Sequence, residues 1–236
     1  MRTTEQKRKK LRKLAKRRQA HRLQPHACLA DFHGGIYECH HVSPWTKSAC
    51  NVDAEVMILG KDWVSWDTLE RELEQELYEK IQDRQKNGQD SSSFTNINLR
   101  EFLVHIGLEF SKTYATNVFP FIKGGKKDAP IPFRDLVSCA ETYALPQIDI
   151  VSPRMAICLG QEAFNAVCHA AGLRPPNWRT KSPGPHIRIG SVKIYGLPHP
   201  TWRGINQAGG KDAVGHRWSL LGQRLQLLRE QDNKRS

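Results

Sequence analysis

Three short polar clusters stand at the ends of apolar runs. Gly60-Lys61-Asp62-Trp63 closes the run Ala54–Gly60, Thr116-Asn117 sits within Thr113–Phe119, and His199-Pro200-Thr201 follows Val192–Leu197. Together they offer a carboxylate, an amide that both donates and accepts, and an imidazole. Each has an ordinary reading: Asp62 as a helix cap, Asn117 as a turn former, His199 as a satisfied loop histidine. Three such groups at strand ends, in this order, are far less expected by chance. The crevice beyond the carboxyl ends of the strands is where an open α/β sheet binds its ligand.

The elements that would position them follow from periodicity. Ala54–Gly60, Thr113–Phe119, Met155–Leu159 and Val192–Leu197 are short apolar runs that read as buried strands. Leu69, Leu73, Leu77 and Ile81 recur every four residues among charges and predict one amphipathic helix over 66–84. Leu99, Phe102, Leu103 and Ile106 predict a second, stopped at Gly107. Further helices are predicted over 133–150, disturbed at Pro146, over 161–171 and over about 213–230. Strand and helix alternate throughout, which predicts a single α/β domain with a parallel sheet covered on both faces.

The chain has 236 residues, 39% apolar and 8% aromatic, enough for a real core and too much for disorder throughout. No apolar run approaches the roughly 18 residues that span a bilayer, and no apolar signal core opens the chain. A cytoplasmic protein without a membrane partner is the expectation. Charge is uneven: residues 1–25 carry eleven Lys or Arg against Glu5, so +10 of the net +12 lies there and +2 on the other 211 residues. This basic tail, flexible or helical, is either a solvated extension or a polyanion clamp, since each cation set on a phosphate releases counterions. With only Leu11, Leu14 and Leu23 as apolar anchors, a membrane-surface helix is the weaker alternative. Residues 26–236 form the expected domain.

As a set, the clusters resemble the uracil-DNA glycosylases over roughly residues 28–230. Gly60-Lys61-Asp62 looks like the start of the water-activating GQDPY motif, and Tyr114–Val118 like the strand whose Asn reads the pyrimidine edge. Pro153–Ala163 is similar to a structural P-K-x-I-x-x-L-G-x-x-A stretch, and His199-Pro200-Thr201 to the closing HPS motif. The resemblance implies a three-layer α/β/α domain around a mainly parallel four-stranded sheet. It also implies a monofunctional DNA glycosylase, acting as a monomer on DNA. Asp62 would orient water and stabilise an oxocarbenium-like sugar, and neutral His199 would donate to the leaving base. Asn117 would read the edge of a base flipped from the stack, within a pocket formed by Gly60, Lys61, Trp63, Val64 and, as stacking aromatic, Phe94. Thr201, Trp202 and Arg203 would enter the minor groove, Trp202 as the wedge; the ordinary alternative packs Trp202 on Trp218. A catalytically weak nucleic-acid-binding module of the same fold is the alternative, against which the joint presence of Asp62, Asn117 and His199 argues.

The departures carry information too. Val64 falls where the motif has a Tyr that closes off the pyrimidine C5 position, so either a 5-substituted base such as a modified phage cytosine fits, or Trp63 fills the space and uracil is the substrate. The cysteines lack close CxxC pairs: ten residues separate Cys28 from Cys39, and eighteen separate Cys139 from Cys158. The iron–sulfur branch of the family carries a [4Fe–4S] cluster on four cysteines, and Cys139 and Cys158 match its last two positions. Cys28 and Cys39 would supply the first pair. A zinc site on Cys28, His33, Cys39 and His40 or His41, and plain buried thiols, remain as alternatives, with Cys168 in the core.

Overall fold

In the computed structural model, which describes residues 2–126, 128–178 and 183–233, the apolar runs become strands almost where predicted. They are β1 (Val56–Asp62), β2 (Tyr114–Phe119), β3 (Met155–Leu159), β4 (His186–Ile189) and β5 (Val192–Leu197), in spatial order β2-β1-β3-β5-β4. All neighbours are parallel except β4, which pairs antiparallel with β5. The sheet therefore has five strands, not the four expected. The edge strand β4 has only four residues, none fully buried, so it carries no apolar run to betray it.

Alternate residues of the inner strands serve opposite layers, as a period of two requires. Met57, Leu59, Ala156 and Cys158 enter one core, while Val56, Ile58, Met155 and Ile157 enter the other. On the first face lie α1 (Thr4–Ala20), α5 (Phe133–Cys139), α6 (Leu145–Val151) and α7 (Gln161–Ala170). On the second lie α4 (Phe94–Val104) and α9 (Lys211–Asn233), joined where Phe102 and Trp218 stack with centroids 6.0 Å apart. This is the three-layer α/β/α arrangement. A smaller aromatic cluster around Leu29, Phe32, Tyr37, Val64 and Leu69 covers the region beyond β1.

Two predicted helices are interrupted. The stretch 66–84 divides into α2 (Trp66–Glu74) and α3 (Tyr78–Asn87), with Glu76 in the left-handed region at φ 49°. In a straight helix Glu72 and Arg84 would stand about 18 Å apart. The bend instead closes a buried two-bond ion pair between them, at 2.7 and 2.8 Å. Between α5 and α6 the chain makes a π turn over Ala140–Ala144, where the Leu145 N–H reaches the Ala140 carbonyl. The turn immediately precedes Pro146, which has no N–H to continue an α ladder.

The basic tail is helical and belongs to the domain. A Thr3–Gln6 capping box starts α1. Leu11, Leu14 and Ala15 bury one side, and the wholly buried Arg18 guanidinium holds the Glu38 carboxylate at 2.6 and 2.8 Å and the Cys39 and His41 carbonyls. Arg8, Lys9, Lys10, Arg12, Lys13, Lys16 and Arg17 are exposed and form no ion pair among the described residues.

Candidate functional site

The order of the strands places β1 centrally, with β2 on one side and β3 then β5 on the other, so the chain changes direction across the sheet beside β1. At this carboxyl end lies a cleft of about 830 Å³ lined by Gly60, Lys61, Asp62, Trp63, Val64, Asn117 and His199. All three predicted constellations meet there.

Asp62 ends β1, and its carboxylate faces an unforeseen partner. Lys123, just beyond β2, is buried and places Nζ 3.1 Å from Asp62 Oδ2. The contact is one of charge, without an aligned hydrogen bond to that buried oxygen. An ammonium beside a partly enclosed carboxylate offsets the cost of removing the anion from water. Lys61 turns the other way, to Glu162 at the start of α7, at 2.8 Å. Burial disfavours its charge, but Glu162 and Asp62 outweigh that and raise its pKa.

Asn117 is held at both ends of its amide. Oδ1 accepts from the Ser43 hydroxyl at 2.6 Å, and Nδ2 donates to the Asp62 carbonyl at 2.8 Å. Gly60 has to be a glycine here, because a Cβ would lie 2.6 Å from Asn117 Nδ2 and 3.2 Å from the Trp45 ring. Among the described residues His199 makes no hydrogen bond, and its Nδ1 is buried without a partner there. Burial pushes its pKa down to about 4, with Asp62 partly opposing and Lys61 reinforcing, so the imidazole is neutral near pH 7.

The segment after His199 forms α8 (Trp202–Gln207), capped by Thr201 Oγ1 accepting from the Gly204 N–H at 3.2 Å. Gly204 packs over the His199 turn, where a Cβ would stand 2.2 Å from the His199 carbonyl oxygen. Arg203 lines the cleft, and Trp202 projects outward with 68% of its surface exposed. Trp202 does not pack on Trp218; its neighbour is Phe94, edge-on at 6.2 Å. Phe94 is thus corrected from a pocket aromatic to a rim residue, because α4 begins there and turns its first ring outward. The aromatic residues in the cleft wall are Trp45, Trp63 and Trp178.

Val64 is mostly buried among Leu29, Phe32 and Tyr37. Trp63 is tethered by Nε1 to the Gly88 carbonyl at 2.7 Å and meets Tyr37 edge-on. The cleft is also lined by the polar side chains of Thr68, Arg71, Glu72 and Arg84.

The cysteines do not assemble the expected ligand set. Cys28 donates to the His21 carbonyl at 2.9 Å and accepts from Arg22, while Cys39 packs in the separate aromatic cluster beside Arg18. Cys139 closes α5, and Cys158 is buried within β3. Burial raises the pKa of all four thiols, that of Cys139 to about 12. Among the described residues no group of three or more Cys, His, Asp or Glu is placed to hold a metal. His33 of the zinc alternative is engaged with Glu70 at 3.0 Å. Neither a four-thiolate cluster nor that zinc site fits this arrangement.

Ser43, Trp45 and Lys123 carry no motif in the sequence. Trp45 and Lys123 line the cleft and Ser43 meets it through Asn117, contacts between distant segments that local periodicity does not report.

The layers and the strand-end cleft are those of the three-layer glycosylase class. The model of the uracil DNA glycosylase superfamily matches residues 48–222, most of the chain, and the chain belongs to that superfamily. No curated protein matches it. No helix among the described residues is long and apolar enough to cross a membrane.

Proposed function

We propose that this chain is a monofunctional DNA glycosylase that flips out a pyrimidine, releases the free base and leaves an abasic site. The convergence of Asp62, Asn117 and a neutral His199 on one cleft carries this reading. Cleaving the N-glycosidic bond develops a cationic sugar and an anionic base. Asp62, with one oxygen against Lys123, has its other oxygen for orienting water and facing the cation. A neutral imidazole can donate one ring N–H to the base carbonyl as negative charge builds there. Trp202, exposed beside the cleft, is the wedge for the space the base vacates.

Three features support a base larger than uracil. Val64 offers a small, packed side chain where a Tyr would close off C5. Trp63 is tethered to Gly88. The cleft includes polar groups such as Thr68 and Arg71 in its lining, and its volume is that of a site for a drug-sized ligand. A pyrimidine with a polar 5-substituent, such as a modified cytosine of phage DNA, matches that space, and removing it would serve defence against phage.

The test is incubation with DNA containing uracil, hydroxymethylcytosine or glucosylated hydroxymethylcytosine, with released base identified by mass spectrometry. Asp62→Asn and His199→Ala should each lose about 100- to 1,000-fold in excision rate while DNA affinity is kept. Wild-type rates in both variants would refute the assignment. Val64→Tyr should slow excision of substituted bases relative to uracil by a ratio worth a few kcal/mol or less. If wild type releases uracil alone and Val64→Tyr changes nothing, the substrate is uracil.

A further inference from the structure

Two aromatic side chains stand exposed at the mouth of the cleft, on different elements. Phe94 opens α4 directly after its cap Ser93, and Trp202 opens α8 directly after its cap Thr201. Ser93, Thr95 and Asn96 line the cleft on one side, Thr201 and Arg203 on the other, so a strand with one nucleotide in the cleft passes this rim. The buried Asn98 joins the two elements by donating from Nδ2 to the Pro200 carbonyl at 3.1 Å. The rings are thereby held in a set relation, with centroids 6.2 Å apart and planes inclined by 67°. The apolar patch is small. Ile97 extends it by one turn of α4, and Glu101, the next residue on that side, is paired with Lys211.

The inclination of the rings decides what Phe94 can meet. A base leaving the stack vacates about one base thickness, roughly 3.4 Å, which admits one ring lying parallel to its neighbours. With Trp202 in that gap, Phe94 stands steeply across the stack and cannot enter it. Its exposed face suits the flat face of a base that is itself out of the stack, and aromatic rings hold such bases whatever their identity. We infer that Phe94, beside Trp202, forms a second nucleobase site, which takes an unpaired base adjoining the nucleotide in the cleft. Single-stranded or locally opened DNA supplies such a base, whereas in a paired duplex it stays stacked. Phe94 therefore adds affinity for single-stranded DNA that a duplex does not gain. The inference rests on the reading above for a nucleotide in the cleft, but not for the cleavage of its bond.

The test is affinity for one oligonucleotide, single-stranded or fully paired, that carries a tetrahydrofuran abasic analogue and so offers nothing to excise. Phe94→Leu keeps apolar bulk without a π face, and Phe94→Tyr keeps the face. Phe94→Leu should weaken single-strand binding by about fivefold to 100-fold and duplex binding by less than about twofold. Phe94→Tyr should bind both forms as wild type does. In the single strand, 2-aminopurine beside the analogue should be quenched more by wild type and Phe94→Tyr than by Phe94→Leu. Equal weakening of both forms, or none, overturns the inference, as does equal quenching by all three proteins. A wild-type dimer in sedimentation that Phe94→Leu dissociates also overturns it, because a second copy then occupies the rings. These results are read whether or not any base is released. Failure to excise every base tried would refute the glycosylase reading and leave the second base site standing on its binding data.

Discussion

Replacing His199 by glutamine should make the protein less sensitive to acid, and the size of the effect follows from its burial. Its pKa is pushed down to about 4 from an ordinary 6.5. As pH falls, the unfolded chain takes up a proton at this position before the native state does. Native stability is therefore complete above about pH 7.5 and is lost as pH falls through 6.5 toward 4. At about 1.4 kcal/mol per pH unit the gap is worth about 3 kcal/mol in full, of which about 2 kcal/mol is gone by about pH 5. Glutamine does not titrate and removes this dependence. Urea unfolding of both proteins at about pH 7.5 and about pH 5 measures it: wild type should lose about 2 kcal/mol more than the variant. Burial also lowers the pKa of His26 and His41, but they are common to both proteins and cancel in the comparison. Equal losses would show that His199 is not held neutral, and its role as a neutral donor would fall with that.

Four further outcomes are expected. Changing the exposed Lys9, Lys10, Arg12, Lys13 and Lys16 to glutamine should flatten the plot of log DNA affinity against log salt by about 0.9 for each phosphate no longer neutralised, with folding kept; an unchanged slope would make α1 a bystander to DNA. Deleting residues 1–24, by contrast, removes Leu11 and Leu14 at about 1.5–3 kcal/mol each and strips Glu38 of Arg18, so urea unfolding should report a loss of several kcal/mol. Gly60→Ala forces a methyl to within 2.6 Å of Asn117 Nδ2, which should cost about 1–3 kcal/mol of stability and lower excision more than it lowers DNA affinity. Protein purified without air should be colourless near roughly 400 nm and free of stoichiometric iron or zinc by elemental analysis, because among the described residues the four thiols do not gather into one site; a brown preparation would overturn this placement of Cys28 and Cys39.

The four parallel strands and the ends that carry Asp62, Asn117 and His199 were legible because each is a local pattern: a buried apolar run followed by a polar break. The break between α2 and α3 was not, since Leu69, Leu73, Leu77 and Ile81 keep helical spacing on both sides of Glu76. The Glu72–Arg84 pair that the bend closes is a contact between two turns of chain, and a periodicity of leucines says nothing of it. Phe94 was misplaced for a similar reason. Its type suits a stacking residue, but the start of α4 sets its direction, toward Trp202.

What the sequence determined by itself is the order of strands and motifs along the chain, the charge of α1, and the groups that could do chemistry at strand ends. Those properties reside in composition and in spacings of a few residues. Only the tertiary structure decided that Lys123 stands against Asp62, that Ser43 hydrogen-bonds an amide 74 residues away, that Arg18 ties the basic helix to Glu38, and that among the described residues Cys28, Cys39, Cys139 and Cys158 do not gather into a metal site. Each of these is a contact whose partners are chosen by how the layers pack. A buried polar group has to find a partner wherever the fold brings one within reach, at any distance along the chain.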